Sequence, residues 1–297
     1  NEIMSMNGSQ EGMAHFAWAL CNPGDVVLVP NPGYPIFKIG PELCDAVTVE
    51  YPLYEKNHFL PKFEDIPEET AKKARFMVVN YPSNPVCSVA DDTFYRELID
   101  FARKYDIIIL HDNAYSDIIY GGKVGKSFLA FEGAKEVGVE FYSLSKSYNY
   151  TGARMSFVVG NQAIIDRFKC VRSQIDYGIF LPVQYGAIAA LNGPQDSVID
   201  QCKKYERRSR TLSRGLSEIG WKVRDTEGTM FVWAPLPEGY DNANAFCMEL
   251  MEKSGVICTP GSSFGSLGEG YVRFALVLPE EELQAAIESI KISGILK

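Results

Sequence analysis

Four short runs of purely apolar residues constrain this chain more than any other feature. They are Val26-Val27-Leu28-Val29, Phe76-Met77-Val78-Val79, Ile107-Ile108-Ile109-Leu110 and Phe157-Val158-Val159. The first stops at Pro30 and Pro32, the second at Asn80 and Pro82, the third at His111-Asp112 and the fourth at Gly160. Continuous apolar runs of this length suit strands buried on both faces, as in a parallel sheet. Between them lie helical patterns. Asp91 to Tyr105 opens with acids and lines up Phe94, Leu98, Ile99 and Ala102 on one stripe, and residues 10–21 and 181–192 also read as helices. Glu2 to Met6 reads as a further strand. This alternation predicts an α/β fold with a mainly parallel sheet flanked by helices.

The pattern changes near residue 195. A long helical stretch carries apolar positions at Val198, Ile199, Cys202, Tyr205, Leu212, Leu216 and Ile219 and ends at Gly220. After it come a strand-like run (Met230-Phe231-Val232-Trp233), a helix near 242–253, a strand from Tyr271 to Leu276 and a last helix from Glu280. That order is α+β, and 297 residues accommodate two domains at about 150 residues each. The boundary is placed inside the long helix: a large domain over 1–205 and a small domain over 206–297.

Composition closes off several classes. Hydrophobic residues make up 46% and charged residues 23%, which excludes a disordered chain. The net charge of −9 and the lack of a basic patch argue against nucleic acid as a partner. The one dense basic run, Lys203-Lys204-Tyr205-Glu206-Arg207-Arg208, reads as the solvated face of a helix. No apolar run reaches the ~18 residues of a membrane span. The seven cysteines are widely spread and form no CxxC pair, which points to reduced thiols and a cytoplasmic setting. Three scattered histidines do not make an imidazole metal site.

Ligands of open α/β sheets bind at the carboxyl ends of the strands, so the residues that follow each strand matter most. Gly8-Ser9-Gln10 enters a helix, where free N–H groups can cradle a phosphate; an ordinary N-cap also accounts for Ser9. Asn84 sits in the turn after the Phe76 run. Asp112 and Tyr115 follow the Ile107 run and can face a site together, whereas His111 reads as structural. Ser143-Leu144-Ser145-Lys146 sits at a strand-to-loop exit, with Arg154 eight residues beyond the lysine. Lysine with a lowered pKa is a Schiff-base nucleophile, and serine hydroxyls with a guanidinium suit a phosphate dianion.

Together these groups ask for a ligand with a phosphate at one end, an aldehyde within reach of Lys146 and a ring nitrogen wanting a carboxylate. Pyridoxal phosphate has all three. Asp112 would keep the ring nitrogen protonated, Tyr115 and Asn84 could hydrogen-bond the ring hydroxyl oxygen, and Tyr34 could stack on the ring face.

Over essentially its whole length the chain resembles the class I/II, fold-type I aminotransferases that use pyridoxal phosphate. Ser143-Leu144-Ser145-Lys146 with Arg154 matches the family's Schiff-base lysine and its phosphate-binding serine and arginine. Asp112-Asn113-Ala114-Tyr115 matches its D-x-x-Y pair, Asn84-Pro85 its NP turn, and Tyr34 its stacking aromatic. Gly261 to Arg273 resembles the segment that ends in the arginine binding the substrate α-carboxylate. Within the family, His111 to Asp117 and Ser145 to Gly152 are most similar to the LL-diaminopimelate aminotransferases and their relatives.

The resemblance implies a large domain of fold type I and a homodimer. It also implies a two-step exchange of an amino group between an amino acid and a 2-oxo acid, with 2-oxoglutarate and glutamate as one pair. A C–S lyase on the same fold is the alternative. Lys146, Asp112 and Tyr115 are the implied catalytic residues. Gly8, Ser9, Gln10, Tyr34, Asn84, Ser143, Ser145 and Arg154 are the implied cofactor contacts, with Asn84 and Arg273 facing substrate. Two departures stand out. Where the family's NP turn continues to a glycine, this chain has Cys87, so only a backbone that a non-glycine residue tolerates is expected there. Ala153 stands where close relatives often have an aromatic residue. The family also carries a segment ahead of the glycine-serine motif that supplies an arm and a phosphate-reaching tyrosine to the neighbouring subunit. Its absence here leads to an expectation of weak cofactor retention for these residues alone.

Overall fold

The computed structural model describes residues 2–296. Among them, seven strands form one sheet: β1 (Ile3–Met6), β2 (Val26–Asn31), β3 (Val47–Pro52), β4 (Ala74–Asn80), β5 (Ile108–Asp112), β6 (Gly138–Ser143) and β7 (Ser156–Gly160). Their spatial order is β1-β7-β6-β5-β4-β2-β3. The apolar runs became β2, β4, β5 and β7. β3 escaped the sequence reading because it is an edge strand, half exposed and interrupted by Thr48 and Glu50, so it never forms a continuous apolar run.

The pairs β2–β3, β2–β4, β4–β5 and β5–β6 are parallel. The Phe157-Val158-Val159 run corrects the sequence expectation: β7 is antiparallel to both β6 and β1. Its connection from β6 holds one helical turn and a short 3-10 segment rather than a crossover helix, so the chain turns straight back. Buried and half-buried residues alternate along β7, unlike the almost fully buried β4.

Helices cover both faces. On one side, Phe16 from the helix Ser9–Leu20 and Phe168 from the helix Gln162–Arg172 pack at 4.3 Å between ring centroids, and Phe16 meets Phe141 of β6 at 5.2 Å. All three rings are fully buried, each worth about 2–3 kcal/mol relative to exposure. On the other side, the helix Asp92–Tyr105 buries Phe94, Leu98, Ile99 and Ala102, the stripe read from the sequence. Asp91 caps it by accepting from the Phe94 N–H at 2.8 Å.

That second core layer continues into the C-terminal part, where Trp221 packs against Phe246 and Phe274. There β8 (Phe231–Pro235), β9 (Thr259–Pro260) and β10 (Tyr271–Ala275) form an antiparallel sheet in the order β8-β10-β9. The helices Ala243–Ser254 and Glu280–Ser293 accompany it, and the helix Asp196–Glu218 runs unbroken through residue 205. None of the described helices is long and apolar enough to cross a membrane.

Candidate active site

The parallel pairing sets the ends of neighbouring strands side by side. Asn80 at the end of β4 is in register with Asp112 at the end of β5, and Asp112 with Phe141 of β6. Asn80 locks this edge: its amide donates to the Asp112 carbonyl at 2.8 Å, and its Oδ1 accepts from the Asn84 N–H at 2.7 Å. The carboxylate of Asp112, the turn holding Asn84 and the lysine segment after β6 therefore open on one cavity of about 280 Å³. Ser9, Gln10, Tyr34, Asn84, Asp112, Tyr115, Ser143, Ser145, Lys146, Arg154 and Arg273 all line it.

Lys146 does not leave β6 into a loop, as the sequence reading had it. It sits on the single helical turn Leu144–Ser147, which Ser143 caps by accepting from the Ser145 N–H at 3.2 Å. Thr151 Oγ1 donates to the Ser145 carbonyl at 2.8 Å and draws the following loop back over this turn. Burial, then the charges of Arg154 and Arg273, push the Lys146 amine below its ordinary value, and Asp112 acts weakly the other way. A larger share of neutral amine is the result, the form that can attack a carbonyl or take up a proton.

Asp112 is 9% exposed, and its Oδ1 has no hydrogen-bond partner among the described residues. Burial pushes its carboxyl up to about 6, against the charge of His111, the Ala114 N–H and the charge of Lys146. A buried carboxylate with an open oxygen is a waiting acceptor for a cation such as a ring N–H⁺. Beneath it His111 is fully buried, with Nδ1 3.0 Å from Glu140 Oε2 and Nε2 3.2 Å from the Tyr81 carbonyl. It lies outside the cavity lining, under the floor that carries Asp112. Tyr115 is buried, which pushes its hydroxyl well above the ordinary range.

At the other end of the cavity Gly8 has φ +92, and a Cβ added there would overlap Arg154 Nη2. Only glycine lets the guanidinium lie over this helix start. Ser9 is not a capping residue: it is the first residue of its helix, and its Oγ has no partner among the described residues. Free helix N–H groups, an unsatisfied hydroxyl and a guanidinium form a donor set for a dianion. The open acceptor at Asp112 and the open donors at Ser9 thus fit the two ends of pyridoxal phosphate.

Arg273 comes from β10, in the C-terminal sheet. Its guanidinium lies 4.2 Å from the Phe231 ring centroid and 4.6 Å from that of Phe264. Its Nε is buried without a partner among the described residues, and burial lowers its pKa from the ordinary value. The sequence does not single out Phe231 or Thr151 as lining residues: Phe231 reads only as part of a strand, and Thr151 lies within the Ser145–Gly152 segment without a role of its own. It also passed over Asp117, whose Oδ2 accepts from Tyr142 Oη at 2.8 Å and Ser147 Oγ at 2.5 Å, the residues that bracket the lysine turn.

Cys87 overturns a sequence expectation. It was expected to force a backbone suited to a non-glycine residue, yet it has φ +62, the left-handed region that glycine favours. The side chain is buried and Sγ donates to the Phe231 carbonyl at 3.4 Å and accepts from Thr229 Oγ1 at 3.4 Å, contacts that offset the strain.

Comparison with known proteins follows the same lines. The family model for aminotransferase class I and II matches residues 1–290. An LL-diaminopimelate aminotransferase from Halothermothrix orenii is 46% identical over 294 residues, 99% of this chain and 75% of that protein. Its counterpart from Desulforudis audaxviator is 44% identical over 290 residues, 98% of this chain and 74% of that protein. Substrate-bound BacF from Bacillus subtilis superposes with a TM-score of 0.95 at 37% identity, over 98% of this chain and 74% of that one. A probable N-succinyldiaminopimelate aminotransferase from Thermus thermophilus gives 0.93 at 36% identity, over 98% of this chain and 78% of that one. By sequence match and by fold, this chain belongs to the class I and II aminotransferases, pyridoxal phosphate-dependent enzymes of fold type I.

Proposed function

We propose that this aminotransferase exchanges an amino group between glutamate/2-oxoglutarate and a second amino acid carrying two amino and two carboxyl groups. The names of the LL-diaminopimelate aminotransferase relatives support the second partner. The observation that carries the site assignment is the buried, unpartnered Oδ1 of Asp112 facing the same cavity as Lys146.

In this reading Gly8, Ser9, Gln10, Ser143, Ser145 and Arg154 hold the cofactor phosphate. Asp112 accepts from the ring nitrogen, Tyr115 and Asn84 serve the ring hydroxyl, and Tyr34 covers the ring face. Pyridoxal phosphate supplies an electron sink for the pair left when the substrate Cα–H bond breaks. Lys146 would hold the cofactor through its amine, and the same amine, free and lowered in pKa, would take the proton from the substrate Cα as base. Arg273 orients the substrate by its α-carboxylate, and Phe231 and Phe264 exclude water around that ion pair.

Several further assignments belong to this proposal. One is the division into a cofactor domain over 1–205 and a small domain over 206–297. Another is a cytoplasmic setting, which the free thiols support. The third is a homodimer. The helix Leu181–Asn192 leaves Leu181, Tyr185, Ile188 and Leu191 exposed, with Tyr177 and Phe180 before it, an apolar face of the kind that a second copy covers.

The deciding experiment is borohydride treatment of the cofactor-loaded protein followed by peptide mapping. The cofactor should be fixed on Lys146, and a label on another lysine would refute the assignment. A panel of amino donors with 2-oxoglutarate then reads the substrate; release of ammonia and pyruvate in place of amino transfer would favour lyase chemistry.

A further inference from the structure

Two of the seven cysteines, separated in sequence, meet in space. Cys247 Sγ lies 3.3 Å from Cys258 Sγ, and both are free thiols. Cys247 is on the inward side of the helix Ala243–Ser254, beside the buried Phe246 and Leu250. Cys258 immediately precedes β9 and is partly exposed. The helix closes on Gly255, with φ +71, so two residues, Val256 and Ile257, lie between that glycine and the second thiol. The sulfurs need to close by about 1.3 Å to reach a bond length. Either thiol can donate in this contact, and the hydrogen bond holds the Cys247 thiol below its ordinary pKa. The next residue, Thr259, is the register partner of Arg273 across β9 and β10, so the pair sits beside the strand that carries the site arginine.

We propose that Cys247 and Cys258 are a modification site: an intramolecular thiol pair that a low-molecular-weight disulfide closes and a dithiol reopens. One thiolate attacks the small disulfide, forms a mixed disulfide on the protein and releases one small thiolate. The second cysteine gives up its proton and attacks the protein sulfur of that mixed disulfide, releasing the other small thiolate. Two protein thiols are oxidised, one disulfide is reduced to two thiols, and the two protons end on those thiols. Cys170 is exposed and carries no such contact, so its mixed disulfide has no resolving partner at hand.

The test uses the full chain, reduced and then equilibrated with oxidised glutathione, with peptides mapped without reduction. The expected product joins the Cys247 and Cys258 peptides, is lighter by two hydrogens and reverts in dithiothreitol. Cys170 should carry glutathione in the same sample, which certifies the oxidant. Free thiols or separate glutathione adducts at Cys247 and Cys258, with Cys170 modified, would overturn the proposal; so would a cross-link from Cys247 to a different cysteine. In Cys258→Ser the cross-linked peptide should vanish. None of these readouts depends on transamination.

Discussion

Arg273 Nη1 donates to Asn84 Oδ1 at 2.7 Å, a bond that joins the C-terminal sheet to the turn after β4. The same guanidinium lies within 5 Å of the ring centroids of Phe231 and Phe264. Its position is therefore set before substrate arrives, and its remaining N–H groups stay free for a carboxylate. Arg273→Ala should lower kcat/KM for amino acids by thirty- to several-hundred-fold, about 2–4 kcal/mol, because a desolvated charge pair is lost. Cofactor retention should be unchanged. Steady-state kinetics beside cofactor titration checks this; equal loss of both would place Arg273 at the cofactor instead.

Gly8→Ala should weaken cofactor retention. The new methyl occupies the space of Arg154 Nη2, and the residue must also keep φ +92. With ψ 147 this is an extended positive-φ conformation that essentially only glycine visits, and the backbone cost alone is about 1–3 kcal/mol. Displacing the guanidinium from the helix start adds to it, so the cofactor dissociation constant should rise by at least tenfold. Equilibrium dialysis reads the effect, and wild-type retention in the variant would show that Arg154 does not serve the phosphate.

Asp112→Asn should stabilise the cofactor-free protein at neutral pH while removing the charge that would keep the ring nitrogen protonated. A carboxyl held near 6 in the fold, against an ordinary 3.8, costs about 3 kcal/mol at pH 7. Its folded pKa is raised, so the wild type has its full stability below 3.8 and loses this amount as pH climbs through 6. The variant carries no such loss. Denaturant unfolding of both proteins should therefore diverge between pH 4 and pH 7 and coincide at the acidic end.

Asp117→Asn should disturb the lysine turn without touching the cofactor. One carboxylate oxygen accepts from Tyr142 and Ser147, and the neutral amide oxygen of asparagine in its place accepts more weakly, by about 1 kcal/mol. The expected result is a fall in kcat with KM for the amino acid held. In a Ser147→Ala background the same change should cost less, with a coupling energy of about 0.5–3 kcal/mol in a double-mutant cycle. Strict additivity would argue that Asp117 acts elsewhere.

Much of this molecule is legible in its sequence. β2, β4 and β5 could be read because a strand buried on both faces must be apolar at every position, and the Asp92–Tyr105 helix because one stripe and a capping aspartate mark it. The candidate site residues could be named because strand ends in such a sheet point at one edge, and because four motifs occur in the order the family uses.

What local patterning cannot carry is which distant residues meet. The direction of β7 depends on how little chain joins it to β6, and β3 is half exposed, so neither has a period that gives it away. Cys87 keeps a glycine-like backbone only because Thr229 and Phe231, more than 140 residues along the chain, supply its contacts. Arg273 reaches Asn84, and Cys247 reaches Cys258, through the packing of the C-terminal sheet and its helix. The sequence by itself determined the alternation of elements and the chemistry at their ends, since both follow from burial and turn preferences over a few residues. Tertiary structure alone decided the unpaired oxygen of Asp112, the lowered amine of Lys146 and the seat of Arg273, because desolvation and charge depend on what folds over each group.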